Sequence, residues 1–157
     1  MMRFQQAAVI LAELIRNNHG VMTMTTLTAS INGITPQFTV PDVVATAEYY
    51  RDVWGFTISG YWMDPPVFAI IERDGFRMFF NKATPGTTPR SGRVAGGYDV
   101  YIDVRGLDAW VDQLRDRGAA IIDGPSLRVY GQRELVVRDL NGLVIALGEE
   151  APFPPRL

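Results

Sequence analysis

The sequence predicts an α+β fold of two βαβββ modules, which form a curled mixed sheet around a central pocket with the helices outside. Two observations support this prediction. The order strand, helix, three strands occurs twice, at an offset of about 64 residues that aligns Val40 with Val104. Each half also contains a hairpin signal, Asp74-Gly75 in the first and residues 139–142 in the second. We therefore interpret the chain as an internal duplication.

The first module is predicted from its strongest helix. Residues 34–40 form a strand, Asp42 is placed to cap a helix over 42–54, and Gly55 ends that helix. A strand over about 56–62 and two hairpin strands, 67–73 and 76–81, complete the module. Four helix residues at helical spacing predict a face packed on the sheet: Val43, Ala47, Tyr50 and Trp54.

The second module follows a stretch rich in Thr, Pro, Gly, Ser and Arg, which predicts a linker or mobile loop over 82–97. A strand over 98–104 and a helix over 106–117 come next, and Gly118 ends the helix. A short strand is predicted over 119–122. The strands 133–138 and 143–147 form the second hairpin.

These patterns divide the chain into three parts. Residues 1–33 are predicted as an N-terminal extension with a short helix and a flexible lead-in, 34–149 as the domain, with halves of about 34–82 and 97–149, and 150–157 as a Pro-rich tail. The apolar run in residues 7–15 is far shorter than the roughly 20 residues of a membrane helix. Residues 1–21 are either an amphipathic helix outside the domain or extraneous sequence before a start at Met22 or Met24.

Composition excludes several classes of function. A net charge of −2 and a pI near 5.3 do not support nucleic-acid binding. The absence of cysteine excludes disulfides and thiolate chemistry. We expect a cytoplasmic protein with no nucleic-acid or membrane partner.

Three sequence runs carry a family resemblance. The first is V-P-D-V-V-A-T-A-E-Y-Y-R-D-V-W-G-F at 40–56, and the others are Y-G-Q-R-E-L at 130–135 and V-R-D-L-N-G at 137–142. With the double βαβββ pattern, they resemble the vicinal-oxygen-chelate superfamily of glyoxalase I, extradiol dioxygenases and bleomycin-resistance proteins. The second-half runs are similar to the bleomycin-resistance-like branch. The resemblance covers about 34–149 and implies a homodimer.

Enzymes of this superfamily hold a metal at four inward positions, normally His, Gln or Glu. Spacing from the strand and turn anchors puts those positions at Thr35, Phe79, Asp99 and Ala146. Only Asp99 is a credible ligand, because Phe79 and Ala146 have no lone pairs and most catalytic metal sites need at least three protein ligands. We therefore predict no metal, no cofactor and no catalytic residue.

Strand alternation predicts which side chains face the pocket. Acidic positions among them would favour a cationic ligand, and aromatic positions would stack on planar groups. Three alternatives stay open. Asp99 and Asp103 could be charges on an exposed strand face, and Glu134 could pair with Arg133. Tyr101, Phe79 and Trp62 could be core or rim aromatics instead of ligand platforms. The face of strand 67–72 is undecided, because the two hairpin turns differ in length. The candidate ligand-binding residues are Gln37, Trp62, Arg77, Phe79, Asp99, Tyr101, Asp103 and Glu134.

Three hypotheses for function follow. The first is a metal-free binding protein of the glyoxalase/bleomycin-resistance type that sequesters a cationic or aromatic antibiotic-like molecule and so confers antibiotic resistance. The second is a metal-dependent lyase, isomerase or dioxygenase of the same superfamily, which metal analysis would distinguish. The third is an interaction domain with a vestigial pocket, marked by an exposed apolar patch and a filled hollow.

Overall fold

The predicted duplication is present in the computed structural model, which describes residues 29–86 and 97–151. The first module runs β1 (Gln37–Val40), α1 (Val43–Tyr49), a π-helical turn (Tyr50–Trp54), β2 (Thr57–Trp62), β3 (Phe68–Arg73) and β4 (Phe76–Lys82). The second runs β5 (Val100–Asp103), α2 (Leu107–Asp116), β6 (Ala120–Leu127), β7 (Gln132–Arg138) and β8 (Val144–Glu150). The predicted N-terminal helix, most of the linker and nearly all of the tail lie outside the described residues.

Each module forms one four-stranded mixed sheet. The strand order is β1-β4-β3-β2 in sheet A and β5-β8-β7-β6 in sheet B. In both sheets the first pair is parallel and the other two pairs are antiparallel. A parallel pair needs a crossover connection, and α1 and α2 lie in the connections that follow β1 and β5. The predicted α+β class with two βαβββ modules is confirmed.

Helix α1 starts and packs as its sequence predicts. The Asp42 carboxylate accepts the backbone N–H groups of Val44 at 2.9 Å and Ala45 at 3.0 Å, which caps the first turn. The predicted packing face, Val43, Ala47, Tyr50 and Trp54, is buried. The last turn widens into π-helix before Gly55. Neither helix of the described ranges is long and apolar enough to cross a membrane.

One hydrophobic core serves both modules. It combines the helix-side faces of sheet A, including Ile71 and Phe80, with those of sheet B, including Leu135 and Ile145. The rings of Trp54 and Trp110, from the two modules, lie 6.2 Å apart within it. Because side chains alternate along a strand, the opposite face of each sheet points away from this core. We call these opposite sides the open faces of sheets A and B.

The C-terminal end of the π-helical turn is capped by side chains from elsewhere in the fold. Arg117 donates a hydrogen bond to the carbonyl of Asp52 at 3.1 Å, and Gln113 donates one to the carbonyl of Val53 at 3.3 Å. Arg73 donates to the carbonyl of Trp54. Orphan helix carbonyls are thereby satisfied, two of them by the second module.

A buried aspartate joins the second hairpin turn to α1 and the π-helical turn. Asp139 accepts the backbone N–H groups of Asn141 and Leu143, both at 2.8 Å, and the hydroxyl of Tyr50 at 3.1 Å. The Asn141 amide also donates to Thr46 at 3.0 Å. The turn therefore satisfies its own backbone and ties the two modules together.

Strand β6 is longer than predicted. The sequence predicted a short strand over 119–122, yet the strand runs from Ala120 to Leu127 and includes Gly124-Pro125. Its pairing with β7 shifts register twice between Ile121 and Ser126, and these irregularities accommodate the proline. Gly124 lies so close to the backbone of Glu134 that a Cβ there would collide with it.

Candidate functional site

Strand register brings the first-module candidates together on the open face of sheet A. Gln37 lies beside Phe79 across the parallel β1–β4 pair. Ile70 lies on the other side of Phe79, and Trp62 lies beside Phe68. Arg77 is on the same strand face as Phe79 and is exposed. The structure therefore also decides the face of β3, since Phe68 and Ile70 share the open face.

Three rings form an aromatic ladder on that face: Trp62, Phe68 and Phe79. The centroids of Trp62 and Phe68 are 5.4 Å apart and those of Phe68 and Phe79 are 5.5 Å apart. Both pairs are edge-to-face, which is a favourable aromatic arrangement. Trp62 keeps 47% of its surface exposed. The aromatic ladder is thus a wall suited to planar apolar groups.

The open face of sheet B is centred on Glu134, which is 0% exposed. Tyr130 donates a hydrogen bond to its Oε1 at 2.8 Å, and Tyr98 donates one to Oε2 at 3.0 Å. Arg128 donates through Nε to the same Oε2 at 2.9 Å and through Nη2 to Asp123 at 2.5 Å. A buried carboxylate needs such partners, because an unpaired one would carry a large desolvation cost.

The alternative pairing of Glu134 with Arg133 does not occur. Neighbouring residues on a strand point to opposite faces, so Arg133 lies on the helix side of sheet B. There it pairs with Asp108 at 2.6 Å and with Glu149 at 3.6 Å. The partner of Glu134 is Arg128, from the connection between β6 and β7.

The surroundings of Glu134 determine the protonation state of the whole cluster. Burial alone would raise the pKa of Glu134, but hydrogen bonds from Tyr130, Arg128 and Tyr98 outweigh it and hold the pKa below its ordinary value of 4.5. Burial and the Glu134 carboxylate raise the pKa values of Tyr98 and Tyr101. The hydrogen bond to Glu134 raises the pKa of Tyr130. Near neutral pH the carboxylate is therefore ionised and the phenols are protonated.

The other second-module candidates have different surroundings. Tyr101 lies so close over Gly148 that a Cβ at this glycine would collide with the Tyr101 hydroxyl. Asp103 is exposed. Asp99 accepts the backbone N–H of Val144 at 2.7 Å, so its carboxylate fixes the start of the β5–β8 pairing. The eight candidates therefore form two groups, one on each open face.

Two open clefts lie away from the aromatic ladder. One, of about 590 Å³, is at the junction of the modules and includes Arg73, Gln113 and Arg117. The other, of about 630 Å³, runs along the β5–β8–β7 side of sheet B from Asp103 to Glu150. The rings of the aromatic ladder line neither of these two clefts.

The family model described as Glyoxalase/Bleomycin resistance protein/Dioxygenase superfamily matches residues 30–147. The chain belongs to this superfamily. The resemblance in the helix and hairpin sequences is therefore confirmed. Comparison with curated protein sequences finds no match.

Solved structures share the superfamily fold at low sequence identity. TioX from Micromonospora sp. ML1 is 19% identical with a TM-score of 0.61, covering 74% of this chain and 97% of its own. TnmS3, an antibiotic binding protein from Streptomyces sp. CB03234, is 20% identical with a TM-score of 0.59, covering 78% and 100%. The bleomycin resistance determinant encoded on transposon Tn5 is 20% identical with a TM-score of 0.59, covering 76% and 98%.

The residues at the superfamily's metal positions do not fit a catalytic metal. Phe79 and Ala146 supply no donor atom, and the Asp99 carboxylate is bound to backbone. Thr35 precedes β1, and the residue beside Phe79 is Gln37. Within 29–86 and 97–151, no three His, Cys, Asp or Glu side chains are grouped to hold a metal ion.

We expect the purified protein to carry no stoichiometric Mn, Fe, Ni or Zn, because Phe79 and Ala146, which have no donor atoms, occupy two of the four metal positions. Elemental analysis after extensive dialysis measures this directly. One tightly held equivalent, removed by chelator with loss of an activity, would contradict the expectation and favour the enzyme hypothesis.

Sequence reasoning missed four residues of the two faces: Phe68, Tyr98, Arg128 and Tyr130. Phe68 was missed because the sequence left the face of strand 67–72 undecided. Tyr130 could have been predicted as a neighbour of Glu134. It lies four residues before Glu134 and beside Gly131, and a turn at this glycine can direct the Tyr130 side chain back over the strand. Nothing local distinguished Arg128 or Tyr98.

Proposed function

We propose that this protein binds a small planar aromatic molecule, antibiotic-like in character, and sequesters it without a metal and without chemical change. The observation that carries the proposal is the aromatic ladder. Trp62, Phe68 and Phe79 line the open face of sheet A, opposite the core that the described residues form. Stacked and edge-to-face contacts with such rings contribute beyond simple area burial.

The second wall of the site is proposed to come from another copy of the chain. Both open faces point away from the shared core, so the modules of one chain do not close on each other. A homodimer that places sheet B of one copy opposite sheet A of the other would enclose the ligand. Exposed apolar side chains in or beside two strand connections suit burial in such a dimer: Met63 and Val67 between β2 and β3, and Leu127 and Val129 where β6 leads to β7. A single-chain mass in sedimentation equilibrium would contradict this arrangement.

A cationic ligand is favoured less strongly than the sequence indicated. Glu134 already pairs with Arg128, and Asp99 is bound to backbone. Asp103 keeps an exposed carboxylate. We therefore propose that a planar aromatic ring matters more for binding than a positive charge on the ligand.

The structural relatives support the antibiotic-like class. TnmS3 is described as an antibiotic binding protein and the Tn5 protein as a bleomycin resistance determinant. Both structures are only 20% identical to this chain, so the similarity shows a shared fold. That this chain binds the same class of ligand is our proposal. Antibiotic resistance and a cytoplasmic location are part of the same proposal.

The test is a thermal-shift screen of planar aromatic compounds, followed by titration of the variant Trp62→Ala. We expect this change to weaken binding by about 10-fold or more, because it removes the exposed ring of the aromatic ladder. The matched control is Phe76→Ala, since Phe76 is more exposed than Trp62 and begins β4 on the other strand face. Its affinity should equal that of wild type. Equal losses in both variants, or a screen without a hit, would contradict the proposal.

A further inference from the structure

The hydrogen bonds around Glu134 have a fixed direction. An ionised carboxylate only accepts hydrogen bonds, and a tyrosine hydroxyl has one proton and two lone pairs. Tyr98 and Tyr130 lie 3.0 and 2.8 Å from the carboxylate, so each must donate its only proton to Glu134. Their remaining hydrogen-bonding capacity consists of lone pairs alone.

Both tyrosines are partly exposed, so a ligand on the open face of sheet B can approach them. Tyr98 keeps 37% of its surface exposed and Tyr130 keeps 59%. The ring of Tyr101 lies 6.1 Å from that of Tyr98 and extends the same surface. Arg128 directs Nε and Nη2 at carboxylates and also donates to Tyr98, which leaves that hydroxyl one lone pair and Tyr130 two. We call Tyr98, Tyr101 and Tyr130 the tyrosine face.

We propose that the tyrosine face selects ligands that donate hydrogen bonds, such as aromatic amines, amides and phenols, and that Glu134 determines this specificity by holding the tyrosine protons inward. The inference rests on the proposed function, because it concerns the ligand of the same site. The proposed function requires a planar ligand, and this inference adds that the ligand has hydrogen-bond donors along one edge. That edge should contact sheet B while the ring plane packs on the aromatic ladder.

The titration behaviour agrees with this geometry. The pKa of Glu134 is held below its ordinary value by the same hydrogen bonds, and the pKa values of Tyr98 and Tyr130 are raised beside the carboxylate. The direction of the hydrogen bonds should therefore persist across the neutral range.

Two dyes of the same ring system test the inference. Proflavine, 3,6-diaminoacridine, carries N–H donors on both amino groups, whereas acridine orange has these nitrogens fully methylated. Both are planar cations at neutral pH, so stacking and charge are matched. We expect wild type to bind proflavine about 3- to 10-fold more tightly in a fluorescence titration, which is the range of one net hydrogen bond.

Variants separate hydrogen bonding from the larger size of the methylated dye. In Glu134→Gln the amide can donate to a tyrosine, which frees that hydroxyl proton to point outward, so the preference for proflavine should fall towards equality. The double change Tyr98→Phe and Tyr130→Phe removes the two hydroxyl acceptors and should also bring the two dye affinities towards equality. It serves as the test if Glu134→Gln does not fold. The control Glu150→Gln removes an equal charge from an exposed position in register with Gln132, and should keep the preference.

The outcomes distinguish this inference from the proposed function. Equal affinity for both dyes in wild type, or a preference unchanged in the tyrosine and Glu134 variants, would overturn the inference and leave aromatic binding in place. Binding of neither dye to wild type would overturn both.

Discussion

Replacing Trp54 with alanine is expected to lower the free energy of unfolding by about 3–5 kcal/mol, because it opens a large cavity in a close-packed core. Trp54 is fully buried, stacks on Tyr50 at 5.8 Å and contacts Trp110 of the second module. For a domain of this size the loss corresponds to a decrease in Tm of roughly 8–15 °C. Urea denaturation followed by tryptophan fluorescence and circular dichroism measures it.

The matched control is Trp62→Ala, which removes the same side chain from the aromatic ladder. Because Trp62 is half exposed, we expect a change of less than about 1 kcal/mol. Comparable destabilisation by the two variants would mean that the open face of sheet A is as tightly packed as the core. That result would also remove the aromatic ladder as a free binding surface.

The change Asp139→Ala should destabilise the protein by roughly 3–5 kcal/mol, since each buried donor left unpaired costs about 1–3 kcal/mol. It would leave without an acceptor the backbone N–H groups of Asn141 and Leu143 and the hydroxyl of Tyr50. Asp139→Asn is the control: its amide oxygen can keep both backbone bonds, which converge on Oδ1. Chemical denaturation of both variants should rank alanine well below asparagine, and equal values would contradict this role.

Wild type and Asp139→Asn should also differ in how their stability depends on pH. Burial raises the pKa of Asp139 above its ordinary value of 3.8, so the native state binds this proton more tightly than the unfolded state. Stability from this group is therefore complete at acid pH and decreases as the pH rises through the raised pKa. Asparagine does not titrate, so the stability of wild type relative to Asp139→Asn should fall as the pH rises above 3.8, the ordinary pKa of an aspartate. A difference that rises over this range would contradict the burial effect.

The order of the elements could be predicted because each carries a local signal. Asp42 caps its helix, Gly55 ends it, and Asp74-Gly75 makes a two-residue turn, and none of these depends on distant contacts. Alternation also predicted the open face for Gln37, Phe79 and Tyr101, as the structure has it. When one side of a strand is buried in the core, the residues between the buried ones must lie on the other side.

Contacts made by loops could not be predicted in the same way. Arg128 and Tyr130 reach Glu134 only because the β6–β7 connection folds back over sheet B. The continuation of β6 through Pro125 depends on irregular pairing with β7, which no local pattern specifies. The common core of the two modules could not be predicted for a related reason. Alternation predicts which face of a strand is buried, whereas the packing of one module on the other depends on contacts such as that between Trp54 and Trp110.

The aspartate that joins the second hairpin to the first helix limits how far the two repeats are interchangeable. Asp74 opens the first hairpin as Asp139 opens the second, yet the Asp74 side chain is 79% exposed and Asp139 is 5% exposed. The residue at the repeat offset from Tyr50 is Leu114, which has no hydroxyl. The duplicated halves have therefore diverged into complementary parts. Recombination that put a second copy of the first half in place of the later one would shorten the five-residue turn between β7 and β8 and leave Tyr50 without its acceptor. Such a chimaera would inherit both sheets but lose the junction between them.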